Sequence, residues 1–80
     1  MRLLLLGTAG CHLCEDALLL INRCRYKAEF TIEQIDIAEQ TEWQDDFATK
    51  IPVLLEPETH KSLDWPFTQE DILTFIKPNT

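Results

Sequence analysis

The spacing Cys11-His12-Leu13-Cys14, lodged between an apolar run and an amphipathic helical pattern, constrains this chain more than any other feature. Leu3-Leu4-Leu5-Leu6 is a short continuous apolar run closed by Gly7. Its length suits a strand buried on both faces, as in a parallel sheet covered by helices. From Leu13 onward the period changes, and Leu13, Ala17, Leu20, Ile21 and Cys24 fall on one helical face. Glu15 and Asp16 stand in the first turn, with Arg23, Arg25 and Lys27 at the end, an order that complements the helix dipole. The two thiols therefore lie where a buried strand hands over to the N-terminus of a helix.

That placement has chemical consequences. At C-x-x-C spacing the second thiol lies about one helical turn from the first and can close a small disulfide with it. The first thiol faces unsatisfied backbone N–H groups and the positive end of the dipole, which stabilise the thiolate, the nucleophile of disulfide exchange. Cys11 is thus expected to be the attacking thiol and Cys14 its resolving partner. The same spacing is half of many zinc sites, but a structural site takes a second pair. The remaining candidates are Cys24, His12 and His60, none of them paired in sequence. A metal-binding or iron–sulfur carrier module, including a dimer sharing a cluster through Cys11, is the alternative to redox chemistry, and a non-catalytic adaptor is a third. His12 reads either as an exposed motif residue or as an imidazolium favouring the Cys11 thiolate. Cys24, within the apolar stripe, reads as a small buried hydrophobe, with a third redox thiol as the alternative. His60 reads as a solvated loop residue.

Beyond the first helix, Phe30 to Ile37 is rich in β-branched and aromatic residues and predicts a second strand. Strand, helix and strand in this order form a βαβ unit, hence a parallel pair with a right-handed crossover. Gln40 to Thr49 is polar with Trp43 and Phe47 at i, i+4, a short helix. Pro52 to Leu55 predicts a third strand and Lys61 to Leu63 a fourth, with Pro57-Glu58-Thr59-His60 as a hairpin loop. Thr68 opens a last helix with Asp71 three residues on, a capping-box signal. Ile72, Leu73, Phe75 and Ile76 supply its buried face, and Pro78 stops it. The expected architecture is α/β, β-α-β-α-β-β-α, with a mixed four-stranded sheet flanked by helices. With 80 residues the chain is one domain with one modest core, and 24 Leu, Ile, Val and Phe are too many for a disordered chain.

Charge narrows the partners. Seven Lys and Arg against fourteen Asp and Glu give a net charge of −7, which repels nucleic acid and anionic membranes on average. Residues 1–27 carry four bases and two acids, and residues 28–80 three bases and twelve acids, so the acidity lies in the later part. It reads as a solvated surface or as a rim that selects a basic partner protein. The longest apolar run, Ala17 to Ile21, is far short of the ~20 residues of a membrane span. Three cysteines, an odd count, argue against a disulfide scaffold. Met1 to Cys11 mimics a secretion signal, but its apolar stretch of four residues falls below the ~7–15 that a signal requires. A cytoplasmic, monomeric protein with normally reduced thiols is expected.

Taken together, Cys11-His12-Leu13-Cys14 after a strand, Ile51-Pro52-Val53 opening a later strand, and the element order resemble the glutaredoxin branch of the thioredoxin fold. More closely, the chain resembles short bacterial glutaredoxin-like proteins with a Leu-Asp-Trp-Pro-Phe segment before the last helix, here Leu63 to Phe67. The resemblance covers essentially the whole chain. It implies a thiol–disulfide oxidoreductase acting on protein or mixed disulfides and recharged by a reductase, with Cys11 as nucleophile and Cys14 as resolving thiol. It also implies a cis bond at Pro52, which places Ile51 backbone groups beside the disulfide to pair with a substrate strand. Two departures bear on glutathione. Typical members carry a basic residue just before the motif and a Gly-Gly pair before the last helix; here stand Thr8-Ala9-Gly10 and Leu63-Asp64-Trp65-Pro66. Pro66 has no N–H to donate, and Asp64 lies where relatives bind a glutathione carboxylate. Lys50 offsets this in part, immediately ahead of Ile51. No metal or bound cofactor is expected, and glutathione is not expected to be obligatory.

Overall fold

The computed structural model describes residues 2–25, 29–39 and 50–76. The first strand, β1, spans Arg2–Gly7 and is followed by helix α1 over His12–Cys24. Strand β2 covers Thr31–Asp36, β3 Val53–Glu56 and β4 Lys61–Asp64, and the last described helix, α2, covers Gln69–Ile76. The helix expected over Gln40 to Thr49, with Trp43 and Phe47, lies outside the described residues, as do Lys27 and Pro78.

The four strands form one sheet in the order β2-β1-β3-β4. β1 runs parallel to β2 and antiparallel to β3, and β4 pairs antiparallel with β3, so the sheet is mixed as expected. Because β1 is internal, its side chains alternate between two buried faces. Leu3 and Leu5 pack with Leu54 against Ala17, Ile21 and Cys24 of α1 and Ile72 and Ile76 of α2. Leu4 and Leu6 join Ile35, Ile37, Val53 and Leu55 on the opposite face. All four leucines are buried, which is the physical reason the run is continuous rather than alternating. Burying each such side chain contributes roughly 1.5–3 kcal/mol.

The stripe on α1 differs from expectation at one end. Ala17, Ile21 and Cys24 are buried, but Leu13 is 48% exposed. Leu13 belongs to the first turn, where Cys14 is the residue that meets the end of β1, at Gly7. On α2, Ile72 and Ile76 are buried, while Leu73 and Phe75 are half-buried against the same core. The capping box forms at Thr68: its Oγ1 accepts from the Asp71 amide at 3.1 Å, and Asp71 Oδ2 accepts from the Thr68 amide at 2.9 Å.

The β3–β4 hairpin turns over Pro57 to His60, with Glu56 paired to Lys61 across its base. The Glu56 carboxylate closes the loop by accepting from the amides of Glu58 and Thr59 and from the Thr59 hydroxyl. His60 completes the turn with φ 61°, a left-handed conformation that is uncommon for a residue with a side chain. Phe67 is buried and Trp65 half-buried, their rings meeting edge to face at 5.0 Å, so both cover the rim of the core.

Candidate functional site

The loop leaving β1 brings Cys11 to the N-cap of α1. Gly10 carries φ 76°, a conformation favoured by glycine, immediately before the motif. Cys11 follows with extended backbone, φ −88° and ψ 109°, and its carbonyl accepts from the Glu15 amide at 3.2 Å to start the helix. The Cys11 sulfur takes the place that a Ser or Asp oxygen usually fills at an N-cap. It accepts from the Cys14 amide at 3.1 Å, so one orphan donor of the helix end points at the expected nucleophile. Cys11 and Cys14 form a disulfide with their Cα atoms 5.2 Å apart, and both residues are half-buried.

On one flank of this motif lies the Ile51-Pro52 segment. The register pairs Leu6 with Val53, so the next antiparallel step sets Pro52 opposite Gly7, at the end of β1 from which the cysteine loop departs. The Ile51–Pro52 bond is cis, as the resemblance implied. Pro52 is buried, and its carbonyl accepts from the Trp65 amide at 3.2 Å. Ile51 is half-buried against the Leu6 and Val53 face, and Lys50 is exposed directly before it. The Trp65–Pro66 bond is also cis, which the sequence did not signal.

On the opposite flank, Gly7 pairs with Asp36, and the Gly7 carbonyl accepts from the Ile37 amide at 3.0 Å. A cavity of about 240 Å³ opens here against Gly7, Thr8, Ala9, Cys14, Gln34 and Asp36. A second, of about 210 Å³, shares Thr8, Ala9, Cys14 and Gln34 and reaches Cys11 and Glu15. Both sulfurs' residues thus border open space on the β2 side. Asp36 Oδ1 accepts from the Ala38 amide at 2.9 Å. The His12 side chain is 95% exposed, with Nδ1 at 3.8 Å from Glu15 Oε2.

Of the expected site residues, the structure joins Cys11 to Cys14 and sets Ile51 and Pro52 at the same end of the central strand. His12 and Lys50 stand in solvent near that end. Cys24 is buried, its Sγ 3.9 Å from the Gln69 carbonyl, between α1 and α2. His60 is exposed in the hairpin. Among the described residues no group of three or more His, Cys, Asp or Glu side chains is placed to hold a metal ion. No described helix is long and apolar enough to cross a membrane.

Sequence reasoning missed the close approach of Gly7 to Cys14. A Cβ at Gly7 would stand 2.8 Å from Cys14 Sγ and 3.3 Å from Cys14 Cβ. The available signal was the glycine itself, since glycine in a strand often marks a place where another group comes close.

A family model described as glutaredoxin-like domain (DUF836) matches residues 2–77. No curated protein matches the chain. Among solved structures, the chain is similar to protein Ne2328 from Nitrosomonas europaea, with a TM-score of 0.81 and 25% identity over 95% of this chain and 91% of that one. It is also similar to the crystal structure of target protein XcR50 from X. campestris, with a TM-score of 0.75 and 26% identity over 95% and 99% of the two chains. A malarial protein shares the fold, with a TM-score of 0.67 at 16% identity over 94% of this chain and 91% of that one.

Proposed function

The chain belongs to the glutaredoxin-like domain family, and from that premise we propose that it is a thiol–disulfide oxidoreductase working through Cys11 and Cys14. The observation that carries this reading is the Cys11–Cys14 disulfide at the N-cap of α1, with the Cys14 amide directed at the Cys11 sulfur. In the reduced protein, the Cys11 thiolate attacks one sulfur of a substrate disulfide. A bond forms between the two sulfurs, and the other substrate sulfur leaves as a thiolate that takes a proton from solvent. The Cys14 thiol loses its proton and attacks the Cys11 sulfur, closing the internal disulfide and releasing the second substrate thiol. Two electrons pass from the protein dithiol to the substrate, and a thiol or dithiol reductant returns them.

Ile51 supplies backbone groups for a substrate strand, and Pro52 holds that segment against the end of β1, anchored by the Trp65 amide. Lys50 supplies positive charge directly before Ile51, and the exposed His12 side chain offers a polar contact beside the motif. The substrate is a disulfide-bearing protein met in the cytoplasm, and the protein acts as a monomer.

Glutathione is a weak partner in this reading. Thr8-Ala9-Gly10 supplies no base ahead of Cys11, and Asp64 and Pro66 stand where carboxylate-binding donors are found in typical members. Losing one hydrogen bond to a charged group costs about 1.5–3 kcal/mol, so losing two weakens binding about a hundredfold or more.

The test has two arms. A Cys14→Ser variant should retain attack and stall as a mixed disulfide that captures substrates, while Cys11→Ser captures none and turns over none. Insulin reduction supported by thioredoxin reductase should exceed turnover of a glutathionylated peptide with glutathione and its reductase. Absence of both activities in the wild type would defeat the oxidoreductase reading, and the reverse ranking would restore glutathione as the partner.

A further inference from the structure

Gly7 occupies an internal strand without any conformational need for glycine. Its φ is not in the left-handed region, unlike that of Gly10, and it pairs in register with Asp36. What the position requires is the absence of a side chain. The nearest atoms to a Cβ placed there are Cys14 Sγ at 2.8 Å and Cys14 Cβ at 3.3 Å, against an optimal non-bonded separation of roughly 3.5–4.0 Å between carbons.

Neither wall yields readily. Gly7 lies in a strand held between β2 and β3, and its carbonyl is engaged by the Ile37 amide. Cys14 is in the first turn of α1, a helix fixed on the sheet by Ala17 and Ile21, both fully buried. The remaining freedom is rotation of the Cys14 side chain. A thiol can turn its sulfur into another staggered rotamer, whereas a sulfur bonded to Cys11 cannot.

We infer that Gly7 is a positioning residue that sets the balance between the Cys11–Cys14 disulfide and the dithiol, by leaving room for the Cys14 sulfur in the oxidised form. A methyl group at position 7 crowds the disulfide more than the dithiol and moves the equilibrium toward the dithiol. Glycine here therefore makes the protein a better reductant. The inference rests on the redox role of the pair, but the balance is a property of the two sulfurs and needs no physiological substrate.

The experiment equilibrates wild-type and Gly7→Ala protein with mixtures of reduced and oxidised dithiothreitol. In that exchange the reagent's two thiols lose two electrons and two protons and become its cyclic disulfide, while the protein disulfide gains them. Alkylation and mass measurement give the fraction of each form. Gly7→Ala is expected to shift the equilibrium constant toward the dithiol by about tenfold, equivalent to about 30 mV for a two-electron couple. It should also lower the melting temperature of the oxidised form more than that of the reduced form. An unchanged constant, or a shift toward the disulfide, in a folded variant overturns the inference. Should Gly7→Ala fail to fold, the same change is made in a Cys14→Ala background, which removes the crowded sulfur. A double variant that folds like its Cys14→Ala parent supports the inference, and one that also fails overturns it. Loss of all substrate turnover in the wild type would count against the proposed function without altering either readout.

Discussion

The backbone amide of Cys14 donates to the sulfur of Cys11 at 3.1 Å, within the first turn of a thirteen-residue helix. In the proposed mechanism the helix end itself stabilises the attacking Cys11 sulfur, and no charged side chain is buried among the described residues. Helix-terminus interactions of this kind are worth ~0.3–1 kcal/mol, and up to ~2 in partly buried sites. Glu15 and Asp16, both exposed directly after Cys14 at the same helix end, oppose them with negative charge.

The reduced Cys11 thiol is therefore expected to titrate moderately below an ordinary thiol, lowered by the helix end and held back by Glu15 and Asp16. The rate of alkylation against pH measures this. An inflection at 8.5 or above, or one below about 4.5, would contradict the electrostatic account. Replacing Glu15 and Asp16 by Gln and Asn should move the inflection further down.

Cys24 is expected to matter for stability and not for turnover. It is 1% exposed, with its sulfur facing the Gln69 carbonyl at the start of α2. Cys24→Ser places a hydroxyl in that contact, and burying an imperfectly bonded hydroxyl costs about 1–3 kcal/mol. Urea denaturation should show this loss while disulfide reduction persists. Abolished turnover in a folded variant would assign Cys24 a redox role instead.

The box at the start of α2 supplies a second stability test. Thr68→Ala removes the hydroxyl that accepts from the Asp71 amide. Loss of such a cap costs typically about 1 kcal/mol. Thr68→Ser keeps the acceptor and should recover most of the loss in denaturant midpoint. Equal stability of the Ala and Ser variants would mean that the cap contributes nothing measurable.

A pH dependence is expected at the far end of the molecule. Hydrogen bonds from the Thr59 hydroxyl, and then from its amide, hold the Glu56 carboxyl below the ordinary carboxylate value. A group whose folded pKa is depressed contributes stability above its unfolded pKa and loses it as pH falls through the folded one. The β3–β4 turn should therefore be tight at and above the ordinary carboxylate range and loosen as more acid solution protonates Glu56. Amide exchange at Thr59, followed by nuclear magnetic resonance, should report that loosening. In Glu56→Gln this pH response should disappear.

Much of this was legible because local and long-range preferences agree. Four consecutive leucines specify a strand buried on both faces, and the 3.6-residue spacing of Ala17, Ile21 and Cys24 specifies the face that α1 turns to it. The C-x-x-C spacing, set between an apolar run and a helical period, places two thiols one turn apart at a helix start, and Thr68 with Asp71 marks the last cap. Periodicity failed at Leu13, since a stripe records which residues share a helical face but not which of them the tertiary fold covers.

Tertiary structure decided what depends on distances between segments remote in sequence. The pairing of Leu6 with Val53 brings Pro52 to the motif's end of the sheet, and no local preference encodes that register. The open space on the β2 side of Cys14 exists because β1 and β2 run parallel, which sets Gln34 and Asp36 beside the loop. Sequence reading took Gly7 as the residue that closes an apolar run. Packing of α1 across β1 gave it a different meaning, because there the missing side chain is the space that the Cys14 sulfur occupies.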